Sequence, residues 1–183
     1  MNSGSRPCYW ADARRCGVMH IYMHITHTFP IYINSDSRVL ILGSFPSIKS
    51  REKMFYYSHP SNRFFPVLGR LFNERCDDIS SRKELLRKHH IALYDVIEEC
   101  DIDGSSDSSI RNVIPIDIEN ILKEYPNIDR IGITGKKASK LFDRYLLDKI
   151  PNDIKVFHLS STSSANAKMS IDDLVKEYSL LFK

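Results

Sequence analysis

Val39-Leu40-Ile41-Leu42 runs straight into Gly43, and how these five residues are read decides the fold. Four consecutive apolar side chains stopped by a glycine are too few for a helix and show no polar alternation. They match a strand buried on both faces, as found inside parallel sheets. Working downstream, Ile91-Ala92-Leu93-Tyr94 closing on Asp95, Arg130-Ile131-Gly132-Ile133, and residues 154–159 repeat the pattern. Helical stretches are predicted between them, over about 62–72 and 116–125. Ser81-Arg82-Lys83-Glu84 reads as a capping box opening a helix that runs to about His90. Residues 135–149 put Ala138, Leu141, Phe142, Tyr145 and Leu146 on one face, and Ser170 caps a last helix with Ile171, Leu174, Val175, Tyr178 and Leu181 on another. Residues 101–115 read as a polar loop. The alternation predicts an α/β fold, an open four-stranded parallel sheet flanked by helices on both faces.

Such sheets bind ligands beyond the C-terminal ends of their strands. That rule selects Gly-Ser-Phe-Pro-Ser at 43–47, Tyr-Asp-Val at 94–96, Thr-Gly-Lys-Lys at 134–137 and the serine-rich run at 158–166.

The 183 residues suit one domain, and 42% hydrophobic with 27% charged is the balance of a globule, not of a disordered chain. No apolar run reaches the ~20 residues of a membrane span, so no membrane partner is expected. Residues 39–90 hold ten basic and five acidic side chains, whereas 91–128 hold two and nine. A surface polarised in this way can offer one face to a polyanion. Cys8, Cys16, Cys76 and Cys100 are too scattered for paired metal ligands and read as reduced thiols of a cytoplasmic protein. Residues 1–26 read as a flexible extension and 27–183 as the single domain.

Two tempting motifs fail. Gly132 and Gly135 stand two residues apart where a phosphate loop needs four, and Lys137 follows Lys136 where a hydroxyl is required. His20, His24 and His27 have ligand-like spacing but lie in the least patterned part of the chain, so they read as solvated and no metal is expected.

The informative stretch is 43–65, GSFPSIKSREKMFYYSHPSNRFF. Phe45, Phe55, Tyr56, Tyr57, Phe64 and Phe65 alternate there with Lys49, Arg51, Lys53 and Arg63. Aromatics can stack an unpaired base while cations hold phosphates, although some of these rings must be core. HLSSTSSAN at 158–166 adds small hydroxyl residues whose backbone N–H groups suit phosphate oxygens.

Together these two stretches resemble the motifs of the uracil-DNA glycosylase superfamily. More narrowly, they resemble its hypoxanthine-DNA glycosylase branch, also called DNA-deoxyinosine glycosylases, with G-S-F-P-S, F-Y-Y-G-H-P-x-N-R-F-W and L-P-S-T-S-P-A-N. The resemblance runs from about His27 to the C-terminus. Ser58 stands where the branch has Gly, Phe65 where it has Trp, Ser160 and Ser164 where it has Pro, and Thr134 where an Asn is common. The lost prolines are expected to loosen the second motif.

The resemblance implies a metal-independent, cofactor-free monofunctional glycosylase. It would cleave the N-glycosidic bond of a flipped deaminated base, hypoxanthine first, as a monomer acting on double-stranded DNA at the nucleoid. Phe45 occupies the place of the water-activating acid of related branches, so the catalytic role falls to Asn62, whose carbonyl oxygen is expected to orient water. Gly43, Ser44, Phe45, Pro46 and Ser47, with Tyr57 and His59, would form the base pocket. Lys49, Arg51 and Arg63 would meet DNA from the first motif. Ser161, Thr162, Ser163, Ser164, Ala165 and Asn166 would do so from the second. His158 falls one residue short of the superfamily's histidine position, which is Leu159 here, and a shift of one along a strand points to the other face. The alternatives are a mismatch uracil or thymine glycosylase and a catalytically idle DNA-binding module.

Overall fold

The computed structural model describes residues 22–103 and 109–183. In chain order the elements are β1 (Met23–Thr26), β2 (Val39–Gly43), α1 (Ile48–Lys53), α2 (Phe64–Phe72), α3 (Ile79–Lys88), β3 (Ile91–Asp95), β4 (Ile97–Ile102), β5 (Arg111–Pro115), α4 (Ile118–Glu124), β6 (Arg130–Thr134), α5 (Lys136–Tyr145), β7 (Lys155–Leu159) and α6 (Ile171–Tyr178). Strands β3-β2-β6-β7, in that spatial order, form a four-stranded sheet whose neighbours all pair parallel. This is the sheet read from the apolar runs.

Side-chain alternation along β2 explains why its run is unbroken. Leu40 and Leu42 enter one core with Ala92, Ile131, Ile133, Ala138 and Phe142, beneath α4 and α5. Val39 and Ile41 enter a second core with Ile91, Leu93, Phe64, Phe65, Leu86, Leu174 and Tyr178, beneath α2, α3 and α6. A strand covered on both faces needs apolar residues at every position.

The chain leaves β2 toward β3 on one side and later returns to β6 on the other. A crevice therefore opens at the C-terminal end of β2, where ligands of such sheets bind.

Three sequence expectations need correction. The expected 101–115 loop holds the end of one strand, 97–102, and the whole of another, 111–115, with 104–108 outside the described residues, and with β1 these strands make a second, antiparallel sheet in the order β1-β4-β5. Acidic residues and a register shift along β4 break its alternation, and Pro115 ends β5, so neither strand has a clean period of two. The expected extension reaches into this sheet, because Met23–Thr26 pairs with β4; residues 1–21 lie outside the described residues. Lastly, Asp78, not Ser81, caps α3. Its carboxylate accepts from the Ser81 backbone N–H at 2.8 Å, while the Ser81 hydroxyl reaches back to close the box.

Candidate active site

Three strand ends and two loops enclose a cavity of about 190 Å³ at the crevice. This is below the roughly 300–1,000 Å³ of clefts for drug-sized ligands, and of the order needed for one heterocyclic base. Every residue expected in the base pocket lines it: Gly43, Ser44, Phe45, Pro46, Ser47, Tyr57 and His59. Asn62, Ser161 and Thr162 join them.

The two motifs meet. Thr162 Oγ1 donates to Asn62 Oδ1 at 3.0 Å, the Ser61 and Ser164 hydroxyls lie 2.9 Å apart, and the Arg63 N–H donates to Thr162 O at 3.0 Å. Asn62 Oδ1 also accepts the Phe64 N–H at 2.9 Å, capping the first turn of α2. A backbone N–H can meet only the oxygen of an amide, so this bond fixes which end of the side chain is which. Both lone pairs of Oδ1 are thereby engaged. The amide nitrogen, not the expected carbonyl oxygen, is the group that Asn62 has left for the cavity.

Arg63 is placed differently from the expectation. Its guanidinium donates to the backbone carbonyls of Ser163 (3.1 Å), Asn166 (2.9 Å) and Met169. It clamps the second motif instead of standing free for phosphate. Lys49 is exposed and paired with Glu52 at 2.7 Å, within easy exchange of water or phosphate. Arg51 is half-buried on α1. The Asn166 side chain donates to Ser161 O at 2.9 Å, and the hydroxyls of Ser161 and Ser163 accept backbone N–H groups of the same loop, the latter from Ala165.

The serines that replace proline do not leave the loop slack. Ser160 donates its N–H to Glu177 at 3.0 Å, a bond proline cannot make, and its carbonyl accepts the Tyr178 hydroxyl at 2.9 Å. Ser164 holds Ser61. These contacts tie the loop to α6 and to the first motif, contrary to the loosening expected from composition.

Five of the six aromatics of 43–65 are core: Phe45 in the first cluster, and Phe55, Tyr56, Phe64 and Phe65 in the second. Phe65, at the tryptophan position, stacks on Phe55 and carries the Arg82 guanidinium 4.7 Å above its ring. Phe45, Tyr56 and Tyr57 also line the cavity. Tyr57 adopts a left-handed backbone (φ 51°), uncommon for a bulky residue and a local strain held by its surroundings. Its ring stacks on Phe64 with centroids 3.9 Å apart. Because the Thr134 hydroxyl donates to Leu42 O, the Tyr57 hydroxyl donates to Thr134 Oγ1 at 3.1 Å. Burial, and next the charge of Asp95, push the Tyr57 phenol upward, so it stays a neutral donor.

Residues that sequence reasoning left unassigned also line the cavity. Asp95 ends β3 and pairs in register with Gly43, so its side chain lies directly over that glycine. A Cβ at Gly43 would meet Asp95 Oδ1 at 2.3 Å, which is why the position takes glycine. The strand-end rule had marked Tyr94-Asp95-Val96 without giving it a role. Thr134, Gly135, Lys136 and Lys137 line the opposite wall. That stretch is no phosphate loop, but it reaches the site because it follows β6. His27, expected to be solvated, is folded inside: its side chain is 1% exposed and Nε2 lies 3.0 Å from Asp95 Oδ2. His158, by contrast, faces Asp143 at 3.5 Å on the outer surface, away from the cavity.

Comparison with known proteins agrees with this geometry. A family model for the uracil DNA glycosylase superfamily matches residues 30–179. A Methanosarcina acetivorans protein named hypoxanthine DNA glycosylase is 32% identical over 148 residues, covering 80% of this chain and 91% of its own. A protein of the same name from Methanosarcina barkeri is 33% identical over 143 residues, 76% of this chain and 87% of its own. A Methanosarcina acetivorans protein solved by solution NMR, and provisionally named a uracil DNA glycosylase, superposes with a TM-score of 0.71 at 28% identity, over 88% of this chain and all of its own. With both motifs folded onto one cavity at the switch point of the sheet, and a match that spans nearly the whole described domain, the chain belongs to the uracil DNA glycosylase superfamily.

Proposed function

We propose that this chain is a DNA glycosylase that hydrolyses the N-glycosidic bond of a flipped deaminated base, with hypoxanthine as its main substrate. The observation that carries the reading is the convergence of Asn62 and the 160–166 loop on a single-base cavity walled by Phe45 and Tyr57. The relatives' names supply the base.

A base must leave the duplex to reach such a cavity, and the ring of Phe45 offers it an apolar surface on entry. The deep end holds Gly43, Asp95, Tyr57 and Thr134, whereas Asn62, His59 and Ser47 also line the neighbouring groove that contains Ser61, Ser163 and Ser164. The base thus lies deep, and the sugar lies beside Asn62 at the mouth. In this reading the Asn62 amide donates to one lone pair of a water and leaves the other aimed at C1′. That is enough when most bond breaking precedes attack. The second motif meets the phosphates through exposed Ser164 and Ala165 and half-buried Ser163. Lys49 and Arg51 add charge beside the opposite rim. The protein works as a monomer on double-stranded DNA in the cytoplasm, at the nucleoid, without metal or cofactor.

Purified protein incubated with duplexes holding one deoxyinosine or one deoxyuridine, followed by alkaline cleavage of abasic sites, tests the reading. Faster release of hypoxanthine is expected. Preferential uracil or thymine release would favour the mismatch enzyme, and binding without any abasic product would favour an idle module.

A further inference from the structure

The buried pair of His27 and Asp95 is used by no step above. The His27 Nδ1 lies 2.7 Å from the carbonyl oxygen of Phe29, and a carbonyl only accepts, so Nδ1 carries a hydrogen. The Nε2 faces Asp95 Oδ2 at 3.0 Å. That contact also requires a proton, on the ring or on the carboxyl. The pair therefore holds one proton more than a neutral imidazole beside a carboxylate. It is a net-neutral arrangement, and it suits a site enclosed by Phe29, Phe45, Tyr56 and Tyr94. Meanwhile Asp95 Oδ1 stands over Gly43 at the deep end of the cavity, where the base is placed.

We infer that the His27–Asp95 pair is the general acid of this enzyme, with Asp95 delivering the shared proton to the departing purine. The inference rests on the glycosylase reading and names the residue that activates its leaving group. A carboxylate already balanced by a proton is a poor base but a ready proton source, and it faces the base, not the sugar. In the step, the C1′–N9 bond breaks and its electron pair stays with the base. The pair's proton passes through Asp95 to N7, so hypoxanthine leaves neutral. A water oxygen then bonds to C1′ and its proton passes to solvent at the mouth, and the pair regains a proton from solvent once the base has left. His27 is a positioning residue here: it touches Asp95 and no substrate atom.

The groups around the pair are the phenols of Tyr56, Tyr57 and Tyr94, all pushed upward by burial, and Glu98, which accepts the Tyr94 hydroxyl. Lys136, Lys137 and His59 face the cavity from α5 and from the first motif.

The test is single-turnover excision from a deoxyinosine duplex at saturating enzyme, between pH 5 and 9. The wild-type rate should fall on the alkaline side as the pair gives up its proton. Asp95→Asn keeps the size and can donate an amide N–H to His27 Nε2, whose ring hydrogen is on Nδ1. It should be slower by about a hundredfold or more, the range for general acid catalysis, with a flat profile. His27→Gln should change the alkaline side of the profile, because it removes the partner that shares the proton with Asp95. It also provides a reading if Asp95→Asn folds poorly, with the folded fraction followed by circular dichroism at each pH. An Asp95→Asn profile that keeps the wild-type shape at any height assigns the pH dependence to another group and overturns the inference alone. So does a wild-type rate in that variant. A wild type that forms no abasic product at any pH overturns the glycosylase reading and this inference with it.

Discussion

Asn62 shows how one side chain can serve structure and chemistry at once. Its oxygen caps α2 and takes the Thr162 hydroxyl, and its nitrogen is left toward the cavity. Asn62→Ala should lower single-turnover excision of hypoxanthine by about a hundredfold to a thousandfold, as removal of a transition-state contact does. Duplex affinity, measured by titration of the same DNA, should change far less, because such a contact acts mainly on the chemical step. Equal loss of both would make Asn62 a loop brace only. Arg63 stands next to it in sequence and has a different task. Two carbonyls of the second motif and that of Met169 just behind it depend on its guanidinium, and hydrogen bonds to a charged group contribute about 1.5–3 kcal/mol. Arg63→Ala should therefore lower unfolding free energy by about that amount in a urea titration. A variant as stable as the wild type that binds DNA weakly would instead make Arg63 a phosphate ligand.

At the scale of elements, the helix ends carry much of the local specification. Asp78 at α3 and Ser170 with Asp173 at α6 form reciprocal boxes. The Ser81 N–H holds the Asp78 carboxyl below the usual carboxylate range, and the Ser170 hydroxyl does the same to Asp173. Each group binds its proton less readily folded than unfolded. Their contribution is therefore complete above the ordinary aspartate value of about 4 and is lost as pH falls through the lowered values. Thermal melts should be level near neutrality and drop below about pH 4. An Asp78→Ala, Asp173→Ala double variant should melt lower at pH 7 and lose less on acidification; an equal loss would place the acid sensitivity elsewhere. The replacement of proline by Ser160 belongs to this scale as well. The sequence shows a lost restraint, but α6 brings Glu177 and Tyr178 against the loop and replaces it.

For the molecule as a whole, charge is divided along the chain, with 39–90 basic and 91–128 acidic. The basic span carries the first motif, α1, α2 and α3, whereas the acidic span runs through β3, β4, β5 and α4. Grip on DNA should accordingly depend on counterion release, with affinity for an undamaged duplex falling steeply between about 50 and 200 mM salt. Fluorescence anisotropy on a labelled duplex measures this, and a flat response would remove the phosphate-tracking rim from the picture.

The sequence by itself determined the parallel sheet, the strand ends that bear the motifs and the helices of the two layers. These follow from local periodicity, and a strand buried on both faces leaves an unmistakable apolar run at Val39-Leu40-Ile41-Leu42. The strand-end rule also marked Gly43–Ser47 and the 158–166 run as lining stretches, whereas Tyr57, His59 and Asn62 were expected only from the family resemblance. Tertiary structure alone decided the rest. The antiparallel sheet β1-β4-β5 has a broken alternation, because acidic residues and a register shift interrupt it, so its strands exist through pairing. The role of Arg63 turns on three carbonyls a hundred or more residues away, and no local pattern encodes such a distance. His27 looked like one of three solvated histidines until the aromatic shell and Asp95 closed around it. Burial and proton sharing are properties of the packed chain, and they arise only when residues far apart in sequence exclude water together.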